Sequence, residues 1–199
     1  EAIAQAKAAG IDLTAEWSVN EKVAFDIALA AAMCGKRSAV AMKQVGLNVA
    51  SDSLLSAAYT GVVGGFVEIS CDDPGPHSSQ TEQDSRLFML FAKVPVFDPS
   101  SPAEARDMTV AAFELSERHG IPVLLRPTTA ICHARQGVLR RAPDRQSRPA
   151  KFRKDPARYL EWFAAFESRV HAVRRMGSTA LSLAYVAAGR QDGFYERDL

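Results

Sequence analysis

Glu21 stands directly ahead of a long apolar helical pattern, in the run Ser18-Val19-Asn20-Glu21-Lys22. A carboxylate at a helix start can hold or move a proton for a bound ligand, because the nearby backbone N–H groups favour its charged form. The same Ser-x-x-Glu spacing is also a capping box, in which the glutamate binds back to its own helix start. A second concentration of chemistry is the loop Asp72-Asp73-Pro74-Gly75-Pro76-His77-Ser78-Ser79-Gln80, continuing to Arg86. His77 is its one imidazole and can exchange a proton near neutral pH. Asp72, Asp73, Ser78, Gln80 and Arg86 supply further hydrogen-bonding groups, and Pro and Gly shape the turn; a solvated surface turn has the same composition. Lys43, Gln44 and Asn48 follow the apolar run SAVAM and are candidates for lining the same cleft, with ordinary solvated loop residues as the equal alternative. The three cysteines, Cys34, Cys71 and Cys132, are far apart in sequence and form neither a disulfide framework nor a CxxC motif. Each is expected to be a small reduced residue in or near the core.

These groups need a scaffold, and the pattern along the chain is that of an α/β domain with a mainly parallel sheet and helices on both faces. Strands are expected at Leu13–Trp17, Ser38–Met42, Gly65–Ser70, Val94–Phe97 and Pro122–Arg126. One helix is expected from the Ser18–Glu21 capping box to Gly35. A second runs from Ser101-Pro102-Ala103-Glu104 to Gly120, and two more lie at about 50 to 60 and 80 to 92. Sheets covered on both faces bind ligands at the carboxyl ends of their strands, so the segments 18–21, 43–48 and 71–86 are where a site is expected. Beyond Arg135 the chain turns to Arg, Pro and Gln, with Arg140, Arg141, Arg145, Arg148, Lys151, Arg153, Lys154 and Arg158 against Asp144 and Asp155. The expected organisation is a domain at 1–135, a basic linker at 136–156 and a short α/β segment at 157–199.

The 199 residues carry a formal net charge of +1 and are 47% hydrophobic, which suits a soluble globular protein with no general attraction to nucleic acid or membrane. No apolar run reaches the roughly 20 residues of a bilayer span and the N-terminus lacks the layout of a signal peptide, so a cytoplasmic location is expected.

The run AEWSVNEKVAFDIALAAAMCGKRSAVAMKQVGLNVASDSLLSAAYTG resembles the alpha subunit of indolepyruvate:ferredoxin oxidoreductase, within the wider 2-oxoacid:ferredoxin oxidoreductase family. The likeness continues through VEISCDDPGPHSSQTEQDSRLFMLFAKVPVFDPSS, close to a DDPG-x-HSSQ-x-EQDSR signature, and through PVLLRPTTAICHARQ. It covers residues 13 to about 136. The resemblance implies the pyrimidine-binding fold of a thiamine-diphosphate enzyme that oxidatively decarboxylates aryl pyruvates, passes electrons to ferredoxin through 4Fe-4S clusters and hands the acyl group to coenzyme A. Glu21 would then be the carboxylate that contacts the aminopyrimidine ring and stabilises the imino tautomer that removes the thiazolium proton. Lys43, Asn48, Asp72, Asp73, His77, Ser78, Gln80 and Arg86 would line the cofactor or substrate cleft. Asp72, Asp73, Glu82 and Asp84 could suggest a metal cage, but in this family magnesium is held with the diphosphate by another domain. No metal site is therefore expected here, and the partner expected is a complementary diphosphate-binding domain or subunit.

The sequence also departs from that family. A Tyr-Pro-Gly-Thr-Pro-Ser-Ser type loop does not precede the matching region, nor is there a cysteine-rich ferredoxin segment, so this chain alone is not expected to be active. Residues from about 160 to 199, ending FAAFESRVHAVRRMGSTALSLAYVAAGRQDGFYERDL, instead resemble a late part of the inositol monophosphatase family, without its metal-binding carboxylate motifs. Beside the leading function stand a non-catalytic binding module or an incomplete chimera and, disfavoured by the missing metal ligands, a magnesium-dependent inositol phosphate phosphatase.

Overall fold

The computed structural model describes residues 2–11, 13–76, 79–139 and 164. The chain divides into two compact units, Glu1–Arg153 and Lys154–Leu199. The elements expected after residue 156, and nearly all of the basic linker, lie outside the described residues.

Four parallel strands build the sheet of the first unit: β1 (Ser38–Lys43), β2 (Phe66–Cys71), β3 (Val96–Phe97) and β4 (Val123–Leu125), in the order β1-β2-β4-β3. The helices are α1 (Ala2–Ala8), α2 (Glu21–Met33), α3 (Gln44–Thr60), α4 (Ser85–Ala92), α5 (Pro102–His119) and α6 (Thr129–His133). This is the expected α/β architecture. Side chains alternate across the strands, and the two faces are covered separately. Phe66 and Leu124 join Phe25, Leu29, Leu47, Leu54 and Met89 of α2, α3 and α4 in one core. Val67, Val123 and Leu125 pack against Ala112, Met108 and Phe113 of α5 in the other. Phe25 meets Phe66 edge to face, with ring centroids 5.0 Å apart.

Several local expectations shift. Leu13–Trp17 has no strand; Leu13 and Trp17 are 40% and 102% exposed, and a strand that buries nothing and finds no ladder partner has no reason to persist. β3 is short because Pro95 cannot donate to a ladder, although its carbonyl still accepts from Leu124 N at 2.9 Å. α3 begins at Gln44, well before the expected 50, because burial of Gly46, Leu47 and Ala50 outweighs the weak helical preference of the Gln-Val-Gly-Leu-Asn start. α4 begins at Ser85, where Asp84 caps it by accepting from Arg86 N. α5 follows its signals, with Ser101 as N-cap, Pro102 in the first turn and Gly120 in the left-handed conformation at φ 66°. Glu104 there binds the backbone N–H and hydroxyl of Ser100 rather than the cap itself.

Glu68 lies in the middle of β2, 1% exposed, and neither carboxylate oxygen has a hydrogen-bond partner among the described residues. Burial, and then the nearby charge of Asp72, pushes its carboxyl from 4.5 up to about 8. A carboxyl raised on folding contributes stability that is fully present below the unfolded value and is lost as pH climbs from 4.5 towards 8. Between pH 5 and pH 7 this one group should therefore remove about 2 to 3 kcal/mol. Glu68→Leu, of similar volume, should abolish that part of the pH dependence. Urea unfolding followed by far-ultraviolet circular dichroism at both pH values tests this, and equal slopes in the two proteins would refute it.

Candidate functional site

All four strands are parallel, so their carboxyl ends lie along one edge of the sheet, and there the chain gathers its polar side chains. β1 ends on Lys43, β2 leads into Asp72 and Asp73, β3 into Asp98, and β4 into Arg126.

Arg126 is 5% exposed. Its Nε donates to Asp72 at 2.6 Å and its Nη1 to Asp98 at 3.2 Å, while Asp84 lies 3.6 Å away. Asp72 also accepts from the hydroxyls of Ser70 at 2.8 Å and Ser85 at 2.7 Å, and from the backbone N–H of Ser85 at 2.8 Å. Both of its oxygens are thus engaged inside the protein. Arg86 pairs with Asp84 at 2.6 Å and with Asp98 at 2.9 Å. Hydrogen bonds from Arg86 pull the Asp84 carboxyl down to about 2, and in return Asp84 holds the Arg86 guanidinium above its ordinary range. Together these contacts fasten both ends of the Asp72–Asp84 loop to β4 and to the start of α4.

Lys43 pairs with the buried Asp73 at 2.5 Å, and Thr129 donates its hydroxyl to the same carboxylate. Hydrogen bonds from Lys43, Thr129 and Ser79, in that order of weight, hold the Asp73 carboxyl well below the usual carboxylate range. Gln44 donates to Thr81 O at 2.9 Å and Asn48 to Gln83 Oε1 at 2.8 Å, tying the later part of the loop to the first turns of α3. Gln80 is exposed and makes no contact in this network, and His77 and Ser78 lie outside the described residues.

Glu21 is placed differently. The N-cap of α2 is Asn20, whose side chain accepts from Val23 N at 2.9 Å, so Glu21 is the first helical residue and not the third. The expected Ser18–Glu21 capping box does not form, and Glu21 is released from that duty. Its side chain runs instead across the first turn of α3: a β-carbon on Gly46 would stand 2.5 Å from Glu21 Cγ and 3.1 Å from Met42 Cβ. Only glycine leaves room for this crossing. The carboxyl carbon of Glu21 would stand 3.2 Å from that same β-carbon, which puts it beside the first turn of α3 as well as at the start of α2. Asp72 and Asp73 are committed to internal partners, whereas no described side chain engages Glu21, which is half-buried.

Of the residues expected to form a cleft, Lys43, Asp72, Asp73 and Arg86 are brought to one edge of the sheet, and Asn48 joins them through the loop. Asp72 and Arg86 act there as fasteners, Asp72 with both oxygens engaged inside the protein and Arg86, half exposed, joining Asp84 to Asp98. Arg126, Ser85, Thr129 and Gly46 were not anticipated as site residues. Arginine ending the apolar run VLLR immediately before Pro127 was the available signal, since a buried arginine must find carboxylates. Gly46 carried none, because a glycine needed for a crossing side chain looks in sequence like any other.

No family model matches the chain. It is 52% identical over 163 residues to indolepyruvate oxidoreductase subunit IorA of Thermococcus kodakarensis, covering 79% of this chain and 25% of that protein. With the subunit of the same name from Methanothermobacter marburgensis the identity is 52% over 157 residues, covering 78% of this chain and 25% of the relative. The chain spans about a quarter of the length of these curated relatives. A separate short likeness, 57% identity over 42 residues, links 21% of the chain to 16% of inositol-1-monophosphatase of Rhizobium meliloti. Among solved structures, 2-oxoglutarate:ferredoxin oxidoreductase from Magnetococcus marinus matches with a TM-score of 0.54 and 21% identity, over 64% of this chain and 23% of that one. That likeness establishes the fold shared by the two.

Proposed function

We propose that the unit described here is the pyrimidine-binding part of a thiamine-diphosphate-dependent oxidoreductase that decarboxylates aryl pyruvates, indolepyruvate among them, with ferredoxin as electron acceptor and coenzyme A as acyl acceptor. The observation that carries this reading is Glu21, an uncommitted carboxylate crossing Gly46 between the starts of α2 and α3. The identity to two oxidoreductase subunits named for indolepyruvate supports the substrate class. The structure from Magnetococcus marinus, solved with 2-oxoglutarate, coenzyme A and succinyl-CoA bound, supports the reaction type.

Bound thiamine diphosphate supplies a sink for the electrons released as carbon dioxide leaves a 2-oxoacid. Glu21 fits such a ligand because a carboxylate can share a proton with a pyrimidine ring nitrogen facing it, and its crossing over Gly46 at the starts of α2 and α3 orients it. Gln44 and Asn48 hold residues 81–83 against the helix that carries Gly46, which keeps the loop in register with Glu21. Lys43, held by Asp73, places a positive charge at the end of β1. Magnesium, the diphosphate and the 4Fe-4S clusters fall in this reading to a complementary diphosphate-binding domain or subunit and to a cluster-bearing segment. The described residues bring no three His, Cys, Asp or Glu together for a metal. Leu87, Leu90 and Phe91, 70 to 75% exposed on one side of α4, and the fully exposed Trp17 offer apolar surface for such a partner. No described helix is long and apolar enough to cross a membrane.

The test is to assemble the chain with a complementary diphosphate-binding chain and measure aryl-pyruvate-dependent ferredoxin reduction with and without thiamine diphosphate. Activity independent of the cofactor, or no activity from a folded assembly, would count against the proposal. Gly46→Ala gives a narrower test. The added methyl must displace Glu21, while alanine is the better helix former by about 0.5 to 1 kcal/mol, so stability should change by less than about 1 kcal/mol. Cofactor affinity, measured by calorimetry, should nonetheless fall about tenfold, the loss of roughly one hydrogen bond to a charged group. An unchanged affinity would show that the crossing of Glu21 over Gly46 has no bearing on the ligand.

A further inference from the structure

Cys71 and Cys132 are remote in sequence, yet the fold makes them neighbours. Cys71 closes β2. The next residue, Asp72, bridges to Thr128, accepts from Thr129 N at 3.0 Å, and donates its own N–H to Pro127 O at 3.2 Å. Cys132 N in turn donates to Thr128 O at 3.0 Å within α6, which sets Cys132 back over the end of β2. Cys71 and Cys132 thus flank the Asp72–Thr128 bridge closely enough for each thiol to act on the other electrostatically, the charge of Lys43 also acts on Cys71, and Lys43 and Cys71 are register partners across β1 and β2. Cys132 is exposed and Cys71 half-buried, while Cys34 sits apart as the C-cap of α2.

We propose that Cys71 and Cys132 form a redox-responsive dithiol, which a hydroperoxide converts to an intramolecular disulfide that locks α6 to the carboxyl end of β2. The inference holds whether or not the thiamine reading does. Burial, followed by the electrostatic effect of nearby Cys132, pushes the Cys71 thiol up to about 12, so at neutral pH it remains protonated and the first attack falls to the exposed Cys132. The sulfur of Cys132 attacks one peroxide oxygen; an S–O bond forms, the O–O bond breaks, and the other oxygen leaves with the thiol proton, as water from hydrogen peroxide or as an alcohol from an organic hydroperoxide. The sulfur of Cys71 then attacks the resulting sulfenic acid; the S–S bond forms, the S–O bond breaks, and hydroxide takes up the Cys71 proton as water. Both electrons that reduce the peroxide come from the two thiols. The bond would tether Thr129 and its partner Asp73, beside Lys43, so the disulfide would sit against the site edge itself.

The experiment uses the full chain, reduced, freed of reductant and exposed to hydrogen peroxide at low protein concentration. Remaining thiols are alkylated under denaturing conditions, and trypsin fragments are mapped by mass spectrometry without reduction. The three cysteines fall on separate tryptic peptides, 23–36, 44–86 and 119–135. The expected result is peptide 44–86 joined to 119–135, reversible by dithiothreitol, with Cys34 recovered alkylated. Cys71→Ser and Cys132→Ser, each checked for folding by circular dichroism, should reduce that species to background. Full alkylation of both cysteines after peroxide, linkage of either to Cys34, or Cys132-to-Cys132 dimers in its place would overturn the proposal. Survival of the linked peptide in either serine variant would do so as well.

Discussion

Glu21→Gln is expected to leave the chain folded and to lower thiamine-dependent turnover about 100-fold or more in a complete oxidoreductase carrying this segment, the usual cost of losing a positioned acid–base group. Glutamine keeps the shape and one hydrogen-bond acceptor but cannot hold a proton at the carboxylate. The stability cost should stay within about 1 kcal/mol, because α2 is capped by Asn20 and not by Glu21. The two expectations together separate function from scaffolding: a capping glutamate would show its loss in the melt, a proton-holding one in the rate. Aryl-pyruvate oxidation and exchange of the cofactor's C2 proton, measured beside thermal unfolding, decide between them. Wild-type exchange and turnover in a folded variant would remove Glu21 from the chemistry.

Asp72→Ala should act in the opposite sense, costing the fold about 3 kcal/mol or more before any activity is considered. The carboxylate accepts from Ser70, twice from Ser85 and once from Arg126, all in the interior. Removing it leaves those donors unsatisfied and strips Arg126 of its one fully buried partner, with only the more exposed Asp98 and Asp84 remaining. Much of the loss is the cost of a stranded guanidinium, so Arg126→Met in the same chain should recover part of it, and the double variant should be more stable than the two single losses added together. Additive losses would mean that Asp72 and Arg126 are not energetically coupled. Chemical denaturation of the four proteins settles the point.

The sequence by itself determined the alternation of elements and hence the parallel α/β sheet, because apolar runs of strand length set between capped helices have few other arrangements. Ser101, Pro102 and Gly120 bounded α5, and Gly35 ended α2 in the left-handed conformation, since these signals act through local backbone geometry that needs no tertiary partner. Glu21 was also singled out from sequence. Its placement was not, because whether Ser18 or Asn20 caps α2 is decided within one turn by packing, and the room Glu21 occupies exists only where α3 passes beneath it at Gly46.

What tertiary structure alone decided shares one physical feature: it depends on which strand ends meet. Asp72 and Arg86 were expected to line a cleft, but that Asp72 would be engaged by Arg126, which follows β4 far along the chain, and that Arg86 would share Asp84 and Asp98 with Arg126, was decided by the fold. The apolar-rich Leu13–Trp17 segment looked like a strand but found no neighbour to pair with. Glu68 gave no sign of being sealed in the interior without a partner among the described residues, since one acidic residue in a six-residue strand usually marks a solvated face. Cys71 and Cys132 became a pair only because β2 and β4 are adjacent in the sheet, and strand order is a property of the folded chain that no local pattern encodes.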